Sequence, residues 1–371
     1  MRGKQLDYIL VGIFLILSIF GILMLYSVSA PFSQERFGHT FYYLRRQFLF
    51  GFLPGIVLLI VALKIPLNFL KRIIPVLFLI NLLFLVMVFL PKFGVSIGGA
   101  RRWVSLGFLT FQPSEFLKIS FIIYLAAWLT KKDVFEGKKK KEKDGGRVKL
   151  LAFLAIVGII VGVLIYQPDF STMALIVAVG IIMFFASRTP FKSTVIILLF
   201  ILICFAILFQ LEPYRMERFK VFLNQEIDPL GSGYQLRQSL IAVGSGGISG
   251  LGLGMSHQKL GFLPHPLADS IFAVFAEETG FLGSLILILL FLFFCWRGIE
   301  ISKKSSNEFQ QLMALGITSW ITLQTFWHIG ALIGILPLSG IPLPFISYGA
   351  SHLITEFVGV GILLNISKNT T

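Results

Sequence analysis

The sequence predicts an all-α integral membrane protein with ten transmembrane helices and one long loop outside the membrane. Three observations support this fold class. Hydrophobic residues make up 56% of the 371 residues, charged residues make up only 13%, and the mean hydropathy is +0.87. Apolar runs long enough to cross a bilayer recur along the chain. One long polar interruption, residues 212–269, separates the seventh run from the eighth.

The apolar runs predict the helices in chain order. They cover residues 9–30, 47–63, 73–91, 111–130, 150–167, 171–187, 193–211, 270–296, 310–335 and 343–366. An even number of spans places both termini on one side of the membrane. Basic residues collect in cytoplasmic loops, and most of the 32 Lys and Arg residues fall on the side of the termini. We therefore expect cytoplasmic N- and C-termini and a single polytopic domain over residues 1–371.

Two loops differ in composition. Residues 131–149 contain the run Lys138-Lys-Lys-Lys-Glu-Lys143 and form a basic loop expected in the cytoplasm. Residues 212–269 are expected outside the cytoplasm and include a Gly-rich, mildly apolar stretch from Leu240 to Gly254. Its glycine spacing is not that of a nucleotide-binding loop, and it favours a re-entrant or interfacial element. The net charge of +14 is dispersed between apolar runs, which indicates topology and anionic lipid rather than nucleic acid.

Charged residues near the outer ends of the spans are candidates for chemistry. Several arginines lie there although basic residues are more common in cytoplasmic loops: Arg46, Arg101, Arg102, Arg215 and Arg218. Guanidinium groups pair bidentately with phosphate oxygens. Asp269 stands at the start of the eighth apolar run, where a lone carboxylate could act as a general base or help to hold a divalent cation such as Mg²⁺ or Mn²⁺. This combination suits transfer of a sugar from a lipid diphosphate, without an organic cofactor.

The fourth apolar run begins with a second candidate group. Pro113 suits the first turn of a helix, and Glu115 and Lys118 share one helical face at spacing i, i+3. A structural ion pair and a substrate contact are equally open for these two residues. The sequence Gln167-Pro-Asp169 predicts a tight turn in which Asp169 caps the following helix.

Motifs spread over nearly the whole chain carry a family resemblance. They are Leu25-Tyr-Ser-Val-Ser29, Arg46-Gln47, Gly99-Ala-Arg-Arg-Trp103, Gln112-Pro-Ser-Glu-Phe-Leu-Lys118, Gln167-Pro-Asp169, Tyr234-Gln-Leu-Arg-Gln-Ser-Leu-Ile-Ala-Val-Gly-Ser-Gly-Gly247, Asp269-Ser-Ile-Phe-Ala-Val274 and Gly340-Ile-Pro-Leu-Pro-Phe-Ile-Ser-Tyr-Gly349. Together they resemble the SEDS family (shape, elongation, division and sporulation), the FtsW/RodA/SpoVE glycosyltransferases that polymerise peptidoglycan from lipid II.

The resemblance implies an inverting glycosyltransferase that joins lipid II units at the outer face of the bacterial cytoplasmic membrane. It implies that Asp269 matches the acid that the family needs for polymerisation. Glu115 and Lys118 match a functionally important pair. The matched motifs add three candidate substrate-binding residues, Gln238, Ser239 and Ser347.

The segment before Asp269 bears on the branch of the family. The run Gly252-Leu-Gly-Met-Ser-His-Gln-Lys259 with Gly261-Phe-Leu-Pro264 is more similar to the division branch, FtsW, than to the elongation branch, RodA. An elongation-type polymerase and a lipid II flippase are the alternatives. The implied partners are a class B penicillin-binding transpeptidase and other division or elongation proteins, since no serine-nucleophile domain is recognised in the sequence.

One departure from the family pattern lies beside the candidate base. The family usually has Leu-Pro-Glu-x-His-Thr-Asp, whereas this chain has Leu263-Pro-His-Pro-Leu-Ala-Asp269. We therefore expect Asp269 to work without the usual glutamate and His-Thr pair.

Overall fold

The computed structural model describes residues 6–97, 100–107, 109–131, 142–187, 220–224, 228 and 231–368. Some predicted features lie outside these residues: the seventh span at 193–211, Arg215, Arg218 and residues 132–141 of the basic loop. Within the described ranges the chain is mostly helical, with one small antiparallel sheet.

Three helices form the first part of the chain. They are α1 (Tyr8–Phe37), α2 (Tyr42–Lys64), which contains a π-helical turn at Phe48–Phe52, and α3 (Leu67–Met87). The Asp7 carboxylate caps α1 by accepting the N–H of Leu10 at 3.0 Å. Gly38 ends α1 with φ +72°, a left-handed conformation that glycine adopts without steric cost.

A three-stranded sheet follows α3 and corrects the all-α prediction. Its strands are β1 (Gly94–Ile97), β2 (Ala100–Leu106) and β3 (Leu109–Phe111), paired antiparallel in the order β1-β2-β3. Val104 pairs with Gly94 on one side and with Phe111 on the other. The protein is therefore mostly helical rather than all-α, and the sheet lies directly before the fourth helical segment.

The remaining described elements are helices. They are α4 (Pro113–Leu129), α5 (Glu142–Tyr166), α6 (Phe170–Ala186), α7 (Ser232–Ser245), α8 (Ile271–Lys304), α9 (Glu308–Leu332) and α10 (Ala350–Ser367). Pro113 occupies the first turn of α4, as predicted. The predicted cap of α6 is confirmed, because the Asp169 carboxylate accepts the N–H of Thr172 at 3.4 Å.

Six helices in the described ranges are long and apolar enough to cross a membrane: α1, α2, α3, residues Lys149–Tyr166 of α5, α8 and α10. Helix α6 is apolar but shorter. The prediction of a helical membrane protein is confirmed at this level, and the count of ten spans stays a prediction.

Helix α10 lies at the centre of the packing, with most of its residues buried. It packs along α2, where Gly361 comes so close that a Cβ atom would lie 2.6 Å from the carbonyl oxygen of Leu59. Trp320 of α9 and Phe357 of α10 are among the largest buried side chains. This arrangement places the start of α10, and the extended segment before it, next to several other helices.

Candidate active site

Asp269 lies directly before α8, and Ser270 is the N-cap residue of that helix. The N-terminus of a helix favours negative charge nearby. The Ser270 hydroxyl donates to the carbonyl of Pro264 at 2.8 Å and accepts from the side-chain amide of Gln235 in α7 at 3.1 Å. The backbone beside Asp269 is therefore fixed from two directions.

A segment between α9 and α10, residues Gly340 to Gly349, borders Asp269 and is called the 340–349 segment below. A Cβ atom on Gly340 would lie 3.7 Å from Oδ2 of Asp269, so the backbone of this glycine lies beside the carboxylate. The Ser347 hydroxyl donates to the carbonyl of Ala268 at 2.7 Å, and the N–H of Tyr348 donates to the carbonyl of Leu267 at 2.8 Å. The 340–349 segment thus holds the two residues that precede Asp269.

Helices α2 and α4 hold the 340–349 segment and the start of α10. The side-chain amide of Gln47 accepts the N–H of Gly349 at 3.0 Å and donates to its carbonyl at 3.4 Å. The Ser351 hydroxyl accepts the N–H of Gln112 at 3.1 Å. The starts of α2, α4 and α10 therefore meet at the end of the 340–349 segment.

The Glu115 and Lys118 ion pair is formed, with 2.7 Å between Oε2 and Nζ, and both residues are buried. Lys118 also donates to Oε1 of Gln324 at 3.0 Å. The amide nitrogen of Gln324 donates in turn to the carbonyl of Pro342 at 2.9 Å. The pair is thus connected through one glutamine to the 340–349 segment.

The described arginines have different surroundings. Arg46 is exposed and lines a large cavity together with Tyr348. Burial raises the pKa of the Tyr348 phenol, and the charge of Arg46 partly opposes the rise, so the phenol is protonated at neutral pH. Arg101 is exposed on β2. Arg102 donates through Nε to the carbonyl of Gln167 at 3.2 Å and through Nη2 to the carbonyl of Pro168, so it ties the sheet to the turn between α5 and α6.

The cavity has a volume of about 870 Å³ and lies between α2, α3, α4 and α10. Most of its polar residues come from the sheet and the adjoining helix starts, namely Tyr43, Arg46, Gln47, Trp103, Thr110, Tyr348 and Ser351, while Asn81 and Ser120 lie on α3 and α4. The remaining walls are mostly apolar and include Leu58, Ile74, Phe84, Ile123 and Ile362. A cavity with one polar end and long apolar walls fits an amphipathic ligand with a charged head.

The predicted residues of α7 do not all reach this region. The Ser239 hydroxyl donates to the carbonyl of Gln235 at 2.8 Å within its own helix. Gln235 is the α7 residue whose side chain contacts Ser270, and the sequence analysis did not single it out. The sequence analysis also did not identify Tyr348 as a cavity residue, or Gln324 as the residue that connects α4 to the 340–349 segment. A single glutamine or tyrosine carries no spacing signal that separates it from an ordinary packing residue.

Comparison with known proteins assigns the family. Residues 7–371 match the family model FTSW_RODA_SPOVE, described as "Cell cycle protein". The chain belongs to this family. Stage V sporulation protein E of Bacillus subtilis (strain 168) is 37% identical over 362 residues, which cover 98% of this chain and 97% of that protein. A probable peptidoglycan glycosyltransferase FtsW of Thiomicrospira cyclica is 38% identical over 370 residues, covering 99% and 93%.

Solved structures share the fold of this family member. A chain from the work "Structural coordination of polymerization and crosslinking by a peptidoglycan synthase complex" has a TM-score of 0.78 at 25% identity, over 99% of this chain and 98% of that chain. The rod shape determining protein RodA of Thermus thermophilus has a TM-score of 0.69 at 23% identity, with the same coverage. Membership of this family and the apolar helices identify an integral membrane protein.

Proposed function

We propose that this chain is a peptidoglycan glycosyltransferase that polymerises lipid II into glycan strands during cell division. The observation that carries the proposal is the position of Asp269. This carboxylate lies beside the 340–349 segment, and Tyr348 and Gly349 of the same segment line the polar end of the large cavity. Relatives named as probable peptidoglycan glycosyltransferases, matched over almost the whole chain, support the same activity.

The cavity suits a lipid diphosphate. Its apolar walls follow α2, α3, α4 and α10 and would take an isoprenoid chain, while its polar end would take the diphosphate and sugars. Arg46 is the described arginine in the lining, and its guanidinium can pair with phosphate oxygens. Arg101, Arg102, Arg215 and Arg218 remain proposed diphosphate contacts of the same face.

The proposed reaction is a single displacement with inversion. Asp269 accepts the proton of the 4-hydroxyl of one lipid II, and the resulting oxygen nucleophile attacks the anomeric carbon of the terminal sugar of another chain. The bond from that carbon to the diphosphate oxygen breaks, and undecaprenyl diphosphate leaves with the electron pair. A positioned general base contributes about a hundredfold to ten-thousandfold in rate. Arginine charge near the diphosphate stabilises the leaving group.

A divalent cation such as Mg²⁺ or Mn²⁺ fits this site only with help from the substrate. Among the residues that the structure describes, no group of three His, Cys, Asp or Glu side chains could hold a metal ion. Mg²⁺ is commonly held by one or two carboxylates together with substrate phosphates. Asp269 would be the protein ligand, and the bound cation would supply charge stabilisation to the diphosphate.

The proposal includes a topology and a partner. Ten spans with cytoplasmic termini would place residues 212–269, and Asp269 with them, at the outer face of the bacterial cytoplasmic membrane. A class B penicillin-binding transpeptidase would cross-link the product, and the similarity to a chain of a peptidoglycan synthase complex supports such a pairing. The relatives named FtsW favour the division role over the elongation role.

The test uses purified full-length protein, with its transpeptidase partner, and lipid II. Wild type should form glycan polymer, and Asp269→Asn should not, because the amide cannot accept the proton. Glu308→Gln, the same acid-to-amide change at an exposed position in the first turn of α9, is the matched control and should retain activity. Equal polymer from wild type and Asp269→Asn would remove Asp269 from the mechanism. Transfer of labelled lipid II across liposomes without polymer would favour the flippase alternative.

A further inference from the structure

The segment from Gly246 to Leu263, called the 246–263 segment below, exposes apolar side chains. Ile248 is 73% exposed, Leu253 63% and Met255 64%, and Leu260 and Phe262 are exposed as well. A loop that faces water normally exposes its polar residues instead. This segment is therefore apolar on its outside.

Two polar side chains of the segment, Ser256 and Lys259, are buried, whereas Ser249 and His257 are exposed. Lys259 is buried, and its ammonium lies 2.7 Å from Oε1 of Glu278 and 3.0 Å from the hydroxyl of Ser27 on α1. The buried carboxylate of Glu277 accepts the hydroxyl of Ser256 and the N–H of His257, the latter at 3.1 Å. The charged lysine is thus buried while the large apolar side chains are exposed, which is the arrangement expected in contact with lipid.

The backbone of the segment is paired with α8, as backbone at membrane depth must be. Helix α8 is interrupted at Gly280, whose φ is +68° and ψ is −165°. On one side of this break, Leu251 and Gly252 donate to the carbonyls of Glu277 and Glu278, both at 3.0 Å. On the other side, the N–H groups of residues 281 and 282 donate to the carbonyls of residues 247 and 248, at 2.9 and 3.1 Å. The 246–263 segment therefore supplies hydrogen-bond partners for the backbone groups that the broken helix leaves unpaired.

Two polar contacts between α1 and α8 indicate the depth of the segment. Asp7 at the start of α1 lies 2.6 Å from Arg297 of α8, and Ser27 donates to Glu278 at 2.6 Å. The two contacts are about 20 residues apart on each helix, which corresponds to about 30 Å of helix, close to the thickness of the hydrocarbon core. The 246–263 segment adjoins the second contact and therefore lies at the opposite membrane boundary from Asp7.

We propose that the 246–263 segment is a membrane-interface anchor whose apolar side chains insert among the lipids at that boundary. The exposed face of α8 begins at Phe281 and Leu282, which are 62% and 52% exposed and bonded to the segment. The lipid-facing surface of a spanning helix therefore continues without a break onto the segment. This continuity favours lipid as the occupant over water or a second protein.

The anchor has a consequence for the candidate base. The N–H of Leu263 donates to the carbonyl of Gln258 at 2.9 Å, and Pro264 accepts the Ser270 hydroxyl next to Asp269. The carboxylate is thus connected by a short chain of contacts to a segment held at the membrane surface. The diphosphate of a lipid-linked substrate would lie at that height, in the headgroup region.

The test measures depth and needs no activity, so its result is independent of the proposed sugar transfer. The two native cysteines are replaced by serine, and a nitroxide spin label is attached at Leu253→Cys or at Met255→Cys. Each labelled protein is placed in liposomes of phosphatidylethanolamine and phosphatidylglycerol. Collision rates with oxygen and with a water-soluble nickel chelate are compared. Phe281→Cys is the lipid-facing control, and Lys92→Cys, an exposed position in the turn before β1, is the water-facing control.

We expect the two segment positions to show high oxygen and low nickel collision rates, like Phe281, whereas Lys92 shows the reverse. Nickel accessibility equal to that at Lys92 would place the segment in water and overturn the inference. Low rates for both reagents would mean that protein covers the segment and would overturn it as well. If either variant has a lower melting temperature than its parent, Leu260→Cys replaces it, because that side chain is also exposed.

Discussion

Removal of the Lys259 ammonium should destabilise the protein strongly. In Lys259→Met, Glu278 loses a partner at 2.7 Å, and the carbonyl of Gly254 and the hydroxyl of Ser27 lose contacts at 2.8 and 3.0 Å. Lys259 and Glu278 are each only 2% exposed, so water cannot replace the ammonium without local unfolding. Leaving one buried charge without its partner costs about 3–5 kcal/mol. We expect the free energy of unfolding to fall by that amount.

Two further variants separate the buried charge from other effects of the substitution. Lys259→Met with Glu278→Gln removes both charges, and this double variant should lose less stability than Lys259→Met alone. Lys304→Met is the matched control, on the helix α8 that also carries Glu278. Its ion pair with Glu300 has a similar length, 2.6 Å, but the lysine side chain is 53% exposed, and an exposed pair contributes about 0–1 kcal/mol.

The assay is reversible unfolding of the full chain in mixed micelles by a denaturing detergent, followed by tryptophan fluorescence. Equal losses in Lys259→Met and Lys304→Met would refute the argument, because burial would then have no effect on the energy of the pair. A double variant as unstable as the single variant would show that the stranded carboxylate is not the cause of the loss.

Two other predictions concern the helix break and the arginines. Gly280→Ala should lower the free energy of unfolding by about 1–3 kcal/mol, because alanine is strained at this positive φ and its Cβ would lie 2.3 Å from a backbone nitrogen of the 246–263 segment. A Cβ atom on Gly12 would have no neighbouring atom within 4 Å, so Gly12→Ala should be nearly neutral in the same unfolding assay. Arg46→Gln should weaken lipid II binding about tenfold to a hundredfold, the effect of losing a charge-assisted hydrogen bond, without loss of stability. Arg102→Gln should also lower the melting temperature, because Arg102 holds two turn carbonyls; identical effects of the two arginine variants on both measurements would contradict this distinction.

Local signals in the sequence predicted several features correctly. The i, i+3 spacing of Glu115 and Lys118 correctly predicted that they share one helical face, where they form an ion pair, and Pro113 and Asp169 marked the starts of α4 and α6. Each of these features depends on residues within one helical turn. Apolar length predicted the membrane class for a similar reason, since a helix must be long enough to cross the hydrocarbon core.

No comparable local signal marks the sheet or the Gly280 break. The strands at residues 94–111 are short and lie beside Gly98-Gly99, which reads as a loop. Gly280 stands in an apolar run that resembles a continuous helix, and the groups that satisfy the break belong to the 246–263 segment. Long-range contacts decide both features.

The unusual sequence directly before Asp269 illustrates how such long-range contacts tolerate sequence change. Residues His265 to Ala268 replace the usual family pattern, yet the contacts that position this stretch are made to its backbone. Ser347 binds the carbonyl of Ala268, and the N–H of Tyr348 binds that of Leu267. The carbonyl of His265 accepts the N–H groups of residues 268 and 270 at 3.2 and 3.3 Å. Every residue has a backbone carbonyl whatever its side chain, so these contacts can hold Asp269 in place without the family's glutamate and His-Thr pair.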